Sequence, residues 1–154
     1  MGWQDSRDAN DGAGGGGLFL KLNSGDKATV VFRGEPLTER SYWDNSKGHS
    51  VLLEPGEEAP KDSEGEKITH KLNVYVVEDN DTKIMQLNAP TFDLVDSVMQ
   101  EIGEDAFFAQ KIVIKREGTG LKTRYKVIAV GPLDADAFED MRSQPLHELK
   151  PSAR

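Results

Sequence analysis

The stretch KIVIKREGTGLKTRYKVIAV, residues 111–130, gathers Lys111, Lys115, Arg116, Lys122, Arg124 and Lys126 against a single acid, Glu117, in a chain whose formal net charge is -8. Cations at this density attract anions, and cations repeated along a strand suit the phosphates of a nucleic-acid backbone. Tyr125 stands between Arg124 and Lys126, Lys71 and Asn73 lead into Tyr75, and Arg40, Tyr42 and Trp43 repeat the mixture. Aromatic rings interleaved with cations are what a single-stranded groove requires, because cations follow phosphates while rings stack on unpaired bases. The same residues have a plainer reading. Lysines decorate exposed strands and discourage edge pairing, and each ring, Trp43 above all, could be core. Lys122, Arg124 and Lys126 share one strand face by alternation and Tyr125 the other, so these candidates cannot all face one groove.

Other chemistries find less support. AGGGG lacks the Gly-Lys-Ser/Thr that opens a helix in a phosphate-binding loop, and EGTGLKT joins two strands without the required spacing. EDNDT at 78–82 has clustered carboxylates but neither the glycine nor the distal glutamate of a calcium loop. His49, His70 and His147 stand far apart with no partner at ligand spacing, so no metal or cofactor is expected. The chain has no cysteine, which removes disulfides, thiolate metal sites and thiol nucleophiles and fits a reducing compartment. No Ser, Thr or Lys stands in a nucleophile context, and the chain reads as a non-enzyme. A nuclease using Asp79 and Asp81 is the one catalytic alternative, and metal-dependent turnover would reveal it.

The charge is unevenly spread. Residues 1–17 carry three acids and one base, residues 134–154 five acids and three bases, and EPGEEAPKDSEGE (54–66) six acids against Lys61. The rest of the central region is close to neutral, with 13 acids and 14 bases. The acidic excess therefore sits in an arm, a loop and a tail, away from the basic stretch.

The elements that must position these residues follow from periodicity. MGWQDSRDANDGAGGGG reads as a disordered Gly-rich arm over 1–17. LFLKLN, KATVVFRG and LTERSYW read as three antiparallel strands separated by NSGD and GEP turns. The polar, acidic stretch 44–66 is a mobile excursion. HKLNVYVVE alternates, with Leu72, Val74 and Val76 on one face and Lys71, Asn73 and Tyr75 on the other, and EDNDTK turns into IMQL. APTFDLVDSVMQEIGED is amphipathic at helical spacing, with Thr91 as candidate N-cap. KIVIKRE and KTRYKVIAV form a closing hairpin across GTG. Strands, one helix, then strands predict a mainly β domain over 18–133: an oligonucleotide-binding (OB) barrel of five antiparallel strands or slightly more, with one helix, followed by a tail over 134–154. No basic n-region precedes an apolar segment and no apolar run reaches membrane-spanning length, so a soluble, cytosolic protein is expected.

GLFLKLNSGDKATVVFRGEP, SYW, NVYVVEDNDTKIMQL, the helix and IKREGTGLKTRYKVIAVGPL together resemble the single-stranded DNA-binding proteins of tailed bacteriophages over 18–133, chiefly through K-R-x-G-x-G-x-x-T-R-Y. The resemblance implies an OB fold that coats single strands in replication, recombination and repair without catalysis, in the cytoplasm of an infected bacterium. Some relatives carry a cysteine-rich zinc insert before the N-V-Y strand. This chain has DNSKGHSVLLEPGEEAPKDSEGEK there, so zinc is not implied. Many relatives end in an acidic tail that recruits replication partners, whereas this chain closes on Lys-Pro-Ser-Ala-Arg after DADAFEDM. The 54–66 loop and the 134–141 tail could fold onto the basic groove as phosphate mimics, or Phe138, Met141, Leu146 and Leu149 of the tail could pack as a helix on the barrel. The alternative function is a small β-barrel adaptor that binds protein through the 54–66 loop and the Phe138 region.

Overall fold

The computed structural model describes residues 18–61, 63 and 65–151, so the arm expected over 1–17 lies outside the described residues. Along the chain come β1 (Phe19–Leu20), β2 (Lys27–Asp44), β3 (His49–Leu52), β4 (Glu66–Val76), β5 (Asp81–Asn88), α1 (Ala89–Ile102), α2 (Glu104–Phe107), β6 (Gln110–Glu117), β7 (Arg124–Pro132) and α3 (Ala135–Ser143). Strands hold 45% and helices 23%, which makes the protein mainly β, and the sheet curls into an open half-barrel. Its order is β1-β5-β4-β2-β6-β7, with β3 attached to β2. The β1–β5 pair is parallel, where the sequence reading expected an antiparallel neighbour.

KATVVFRG and LTERSYW are not two strands. They are halves of β2, which bends where its register against β4 shifts between Arg33 and Leu37. Gly34 sits inside that shift at φ 70°, a conformation that costs glycine nothing. The bend lets one strand serve two parts of the sheet: Lys27–Val30 pair with β6, and Ser41–Asp44 pair with β3. The polar excursion over 44–66 therefore contains the short strand β3.

Alternation sends Val30 and Phe32 of β2, Leu72 and Val74 of β4, Met85 and Leu87 of β5, and Ile112 and Ile114 of β6 to the inner face, where they form the main core. Helix α1 plugs that face with Val95, backed by Phe92, Val98, Met99 and Ile102. Its cap differs from the expected Thr91. Asn88 accepts the Thr91 N–H at 2.9 Å, so Pro90 enters the first turn, where a missing N–H is harmless.

The C-terminal segment is no free tail. Met141 of α3 and the preceding Leu133 bury themselves against Val31 and Tyr75 on the outer face, with Ala137 and Phe138 packed alongside. Residues 144–151 continue as a strap over β4 and β5. Asn73 accepts the His147 N–H at 2.8 Å and donates to the His147 carbonyl at 3.1 Å. His147 Nε2 donates to the Thr82 carbonyl, the Thr82 hydroxyl donates to Gln144, and Lys71 Nζ donates to the Lys150 carbonyl. Of the two arrangements open to the tail, a packed helix is the observed one, with Phe138 and Met141 in the contact; it ends at Ser143, so Leu146 and Leu149 lie in the strap beyond it.

Candidate nucleic-acid interface

The β6–β7 hairpin alternates from the Ile112–Ala129 pair to its tip, and its register shifts between Lys111 and Ile112. Ile112, Ile114, Tyr125, Val127 and Ala129 turn inward to the core, so their neighbours turn outward. Register then sets Lys115 beside Lys126 and Lys27 of β2 beside Lys115. Three lysines thus stand abreast on three adjacent strands, all on the outer face. Arg124 pairs with Glu117 at the next position, and Lys111 lies on the same face further along. Glu117 reaches both Lys115 and Lys126, at 3.5 Å each, but these side chains are 44% and 62% exposed. Such long, exposed contacts neutralise little, and the row keeps its positive field. Between the basic positions, Val113 sits opposite Ile128, and Ile128 and Val130 are about half exposed.

The hairpin tip is built by glycine. A Cβ on Gly118, at φ 78°, would lie 2.2 Å from the Lys122 carbonyl oxygen, so no other residue closes this turn. The turn ends in a single 3-10 turn, Gly120–Lys122, which leaves Lys122 exposed and Leu121 wholly in solvent.

Other residues expected in the groove are placed differently. Tyr75 is fully buried; its hydroxyl donates to the Asp140 carboxylate at 2.8 Å, with Asn80 Oδ1 at 3.3 Å. Burial, and then that hydrogen bond, push its phenol up to about 12. Lys71 is buried too, in an ion pair with Glu39 at 3.0 Å. Both lie on the outer face as alternation requires, but α3 and the strap cover them, so neither can meet a base or phosphate. Arg116 turns inward at its strand end and donates to the Leu22 carbonyl at 2.8 Å. Its own N–H and C=O bond to Asp26 and Gly25, so it pins the β1–β2 loop. Tyr125 turns inward and packs half-buried against the core.

Arg40 is occupied by the acidic loop. It pairs with Glu66 and donates to the carbonyl oxygens of Glu57 and Glu54; the Glu66 hydrogen bond raises its already high pKa. Tyr42 and Trp43 are neighbours on β2 and project to opposite sides. Trp43 is 42% exposed, and the two residues line a cleft of about 350 Å³ whose other walls include Asp44, Pro60 and Ser63. Trp43 is therefore not core.

Of the expected residues, Lys111, Lys115, Arg124 and Lys126 come together on one face, with Lys122 at its tip. Sequence reasoning missed Lys27, since only inter-strand register brings it to Lys115, and missed the outward apolar set Val113, Ile128 and Val130. For the catalytic alternative, Asp79 is engaged with Lys83 at 2.7 Å. Among the described residues no three His, Asp or Glu side chains group as metal ligands, and no helix is long and apolar enough to cross a membrane.

No family model, curated protein or solved structure matches the chain.

Proposed function

We propose that the protein binds single-stranded DNA without sequence preference, as a non-catalytic coating protein of the kind tailed bacteriophages use in replication, recombination and repair. The observation that carries this reading is the row Lys27, Lys115 and Lys126, continued by Arg124 and Lys111, on a bare strand face of a chain whose net charge is -8. An acidic protein gains nothing for solubility by aligning lysines across three strands, whereas such an alignment spaces cations at about 5 Å intervals for a phosphate backbone. The curled five-strand path β5-β4-β2-β6-β7, with α1 between β5 and β6, supports an OB-type barrel left partly open. In such barrels nucleic acid crosses the second and third strands and the flanking loops. Here those strands are β4 and β5, and the C-terminal segment occupies their outer face. The path we assign instead runs over β6 and β7, with the Leu121–Lys122 tip at one end and the bare ring of Trp43 as a separate stacking platform.

The adaptor reading draws on less. Phe138 packs on the sheet, and Arg40 ties down the acidic loop, so both of its contact regions are engaged within the molecule.

A titration of labelled oligo-dT against a duplex of equal length, repeated over a salt series, tests the proposal. Single strands should bind in preference. Neutralisation of about three to five phosphates gives a slope of log K against log salt of roughly -2 to -3.5. Equal affinity for duplex, or no salt dependence, would refute it.

A further inference from the structure

Strand β7 ends the sheet: β6 is the one strand paired with it among the described residues. Its opposite edge offers a row of backbone donors and acceptors, the usual template for adding a strand. The protection such edges normally carry lies at the two ends of the strand. Arg124 and Lys126 guard the start, and a register shift against β6 beside Val130 and then Pro132 guard the finish, but VIAV (127–130) between them has neither charge nor proline. Both faces of that stretch are apolar and incompletely covered. Val127 and Ala129 are only partly buried although they face the core, and Ile128 is 53% exposed on the outside.

We propose that this edge pairs antiparallel with β7 of a second copy, about a two-fold axis at Ile128. The charge pattern selects that occupant and that direction. Lys122, Arg124 and Lys126 lie at one end of the strand, while Asp134 and Asp136 follow the other. A two-fold at Ile128 sets Ile128 against itself, Lys126 against Val130 and Arg124 against Pro132, and brings Lys122 toward Asp134 of the other copy. A parallel pair would instead set Arg124 beside Arg124 and Lys126 beside Lys126, which like charges oppose. The contact is isologous and closes on itself, so it yields a dimer rather than a filament. It also joins the outer faces of two β6–β7 hairpins into one surface, so that the lysine rows of both copies flank a shared apolar centre.

The pairing does not rest on the nucleic-acid reading, and its test needs no DNA. The chain has no cysteine, so Ile128→Cys introduces a unique thiol, and Leu94→Cys, at a similarly exposed position on α1, is the control. Opposed residues of an antiparallel pair have Cβ atoms about 4.5–5.5 Å apart, within reach of a disulfide or a short bis-maleimide. At tens of micromolar, sedimentation equilibrium of the unaltered chain should show dimer. Ile128→Cys should cross-link at least ~10-fold faster than Leu94→Cys, since pairing raises the local thiol concentration toward the millimolar range. Ile128→Glu, which sets two carboxylates face to face on an exposed surface, should return the protein to monomer with its circular dichroism unchanged. A monomer at all concentrations, or equal cross-linking at positions 128 and 94, overturns the proposal.

Discussion

The outer face of the sheet has two halves built from the same kind of sequence and put to different ends. HKLNVYV in β4 and TRYKVIAV in β7 both alternate, and both carry a lysine and a tyrosine. In β4 the outward residues Lys71, Asn73 and Tyr75 are buried, because α3 and the strap lie over them and satisfy each polar group. In β7 the outward residues Arg124, Lys126, Ile128 and Val130 stay exposed, because nothing among the described residues crosses them. Lysine on a strand therefore marks a binding face only where no other segment claims it. The difference between the halves lies not in the strands but in what covers them.

The sharpest way to break this comparison is to uncover the covered half. Deleting 134–154 removes Leu133's neighbours, Met141 and Phe138, and exposes Val31 and Tyr75, each wholly buried in the intact protein. Burial of a large apolar side chain stabilises by about 1.5–3 kcal/mol, so the loss should be on the order of 5 kcal/mol. Urea melts followed by circular dichroism read it directly. If stability instead stays unchanged while DNA binding tightens, the segment is a removable cover, and the two halves are alike beneath it.

How much of this division could be read beforehand depends on the range of the cause. Strand faces are local, and the alternation of Leu72, Val74 and Val76 against Lys71, Asn73 and Tyr75 was legible, as was the opposition of Tyr125 to Arg124 and Lys126. Helix α1 was legible from its spacing, though its start was displaced because Asn88 and Pro90 outcompete Thr91 as a beginning. What covers a face is not local. The bond from Tyr75 to Asp140 spans 65 residues, and that from Asn73 to His147 spans 74. No periodicity within either segment encodes these meetings. The one sequence cue was the apolar pair Phe138 and Met141 at helical spacing. Register is equally remote: Lys27 joins Lys115 only because β2 bends at Gly34 and gives its first half to β6.

A smaller effect sharpens the comparison at Tyr75 of the covered half. Tyr75→Ala should cost about 3–5 kcal/mol, as large aromatic truncations in a core do, and leave oligo-dT affinity unchanged in the fraction that is folded. Tyr75→Phe removes only the hydroxyl bonded to Asp140 and should cost about 1–2 kcal/mol. The two forms should also differ at alkaline pH. The Tyr75 phenol is raised to about 12 from 10.0, so the folded protein favours the neutral form. Its contribution is complete below the unfolded value and is lost as pH climbs from about 10 to about 12. The wild-type melting temperature should therefore fall more steeply across that window than that of Tyr75→Phe. Parallel curves would mean that the phenol is in contact with solvent and that the covered half is looser than its burial suggests.

A matched pair of lysines includes the smallest effect on stability, that of Lys126→Ala. Lys71→Ala removes a buried charge paired with Glu39 and a bond to the Lys150 carbonyl. Loss of one member of such a pair destabilises by about 3 kcal/mol, and since Lys71 never reaches the bare face, the salt slope of DNA binding should not move. Lys126→Ala removes a charge that is 62% exposed and held only by a 3.5 Å contact to Glu117. Stability should stay within about 0.5 kcal/mol, while the slope of log K against log salt should shrink by about 0.7, the share of one neutralised phosphate on a single strand. The two substitutions thus exchange signatures, one moving the melt and not the slope, the other the slope and not the melt. If Lys126→Ala leaves the slope intact while Lys71→Ala reduces it, single strands are bound on the β4–β5 face after displacing the strap, and the assignment of the two halves is reversed.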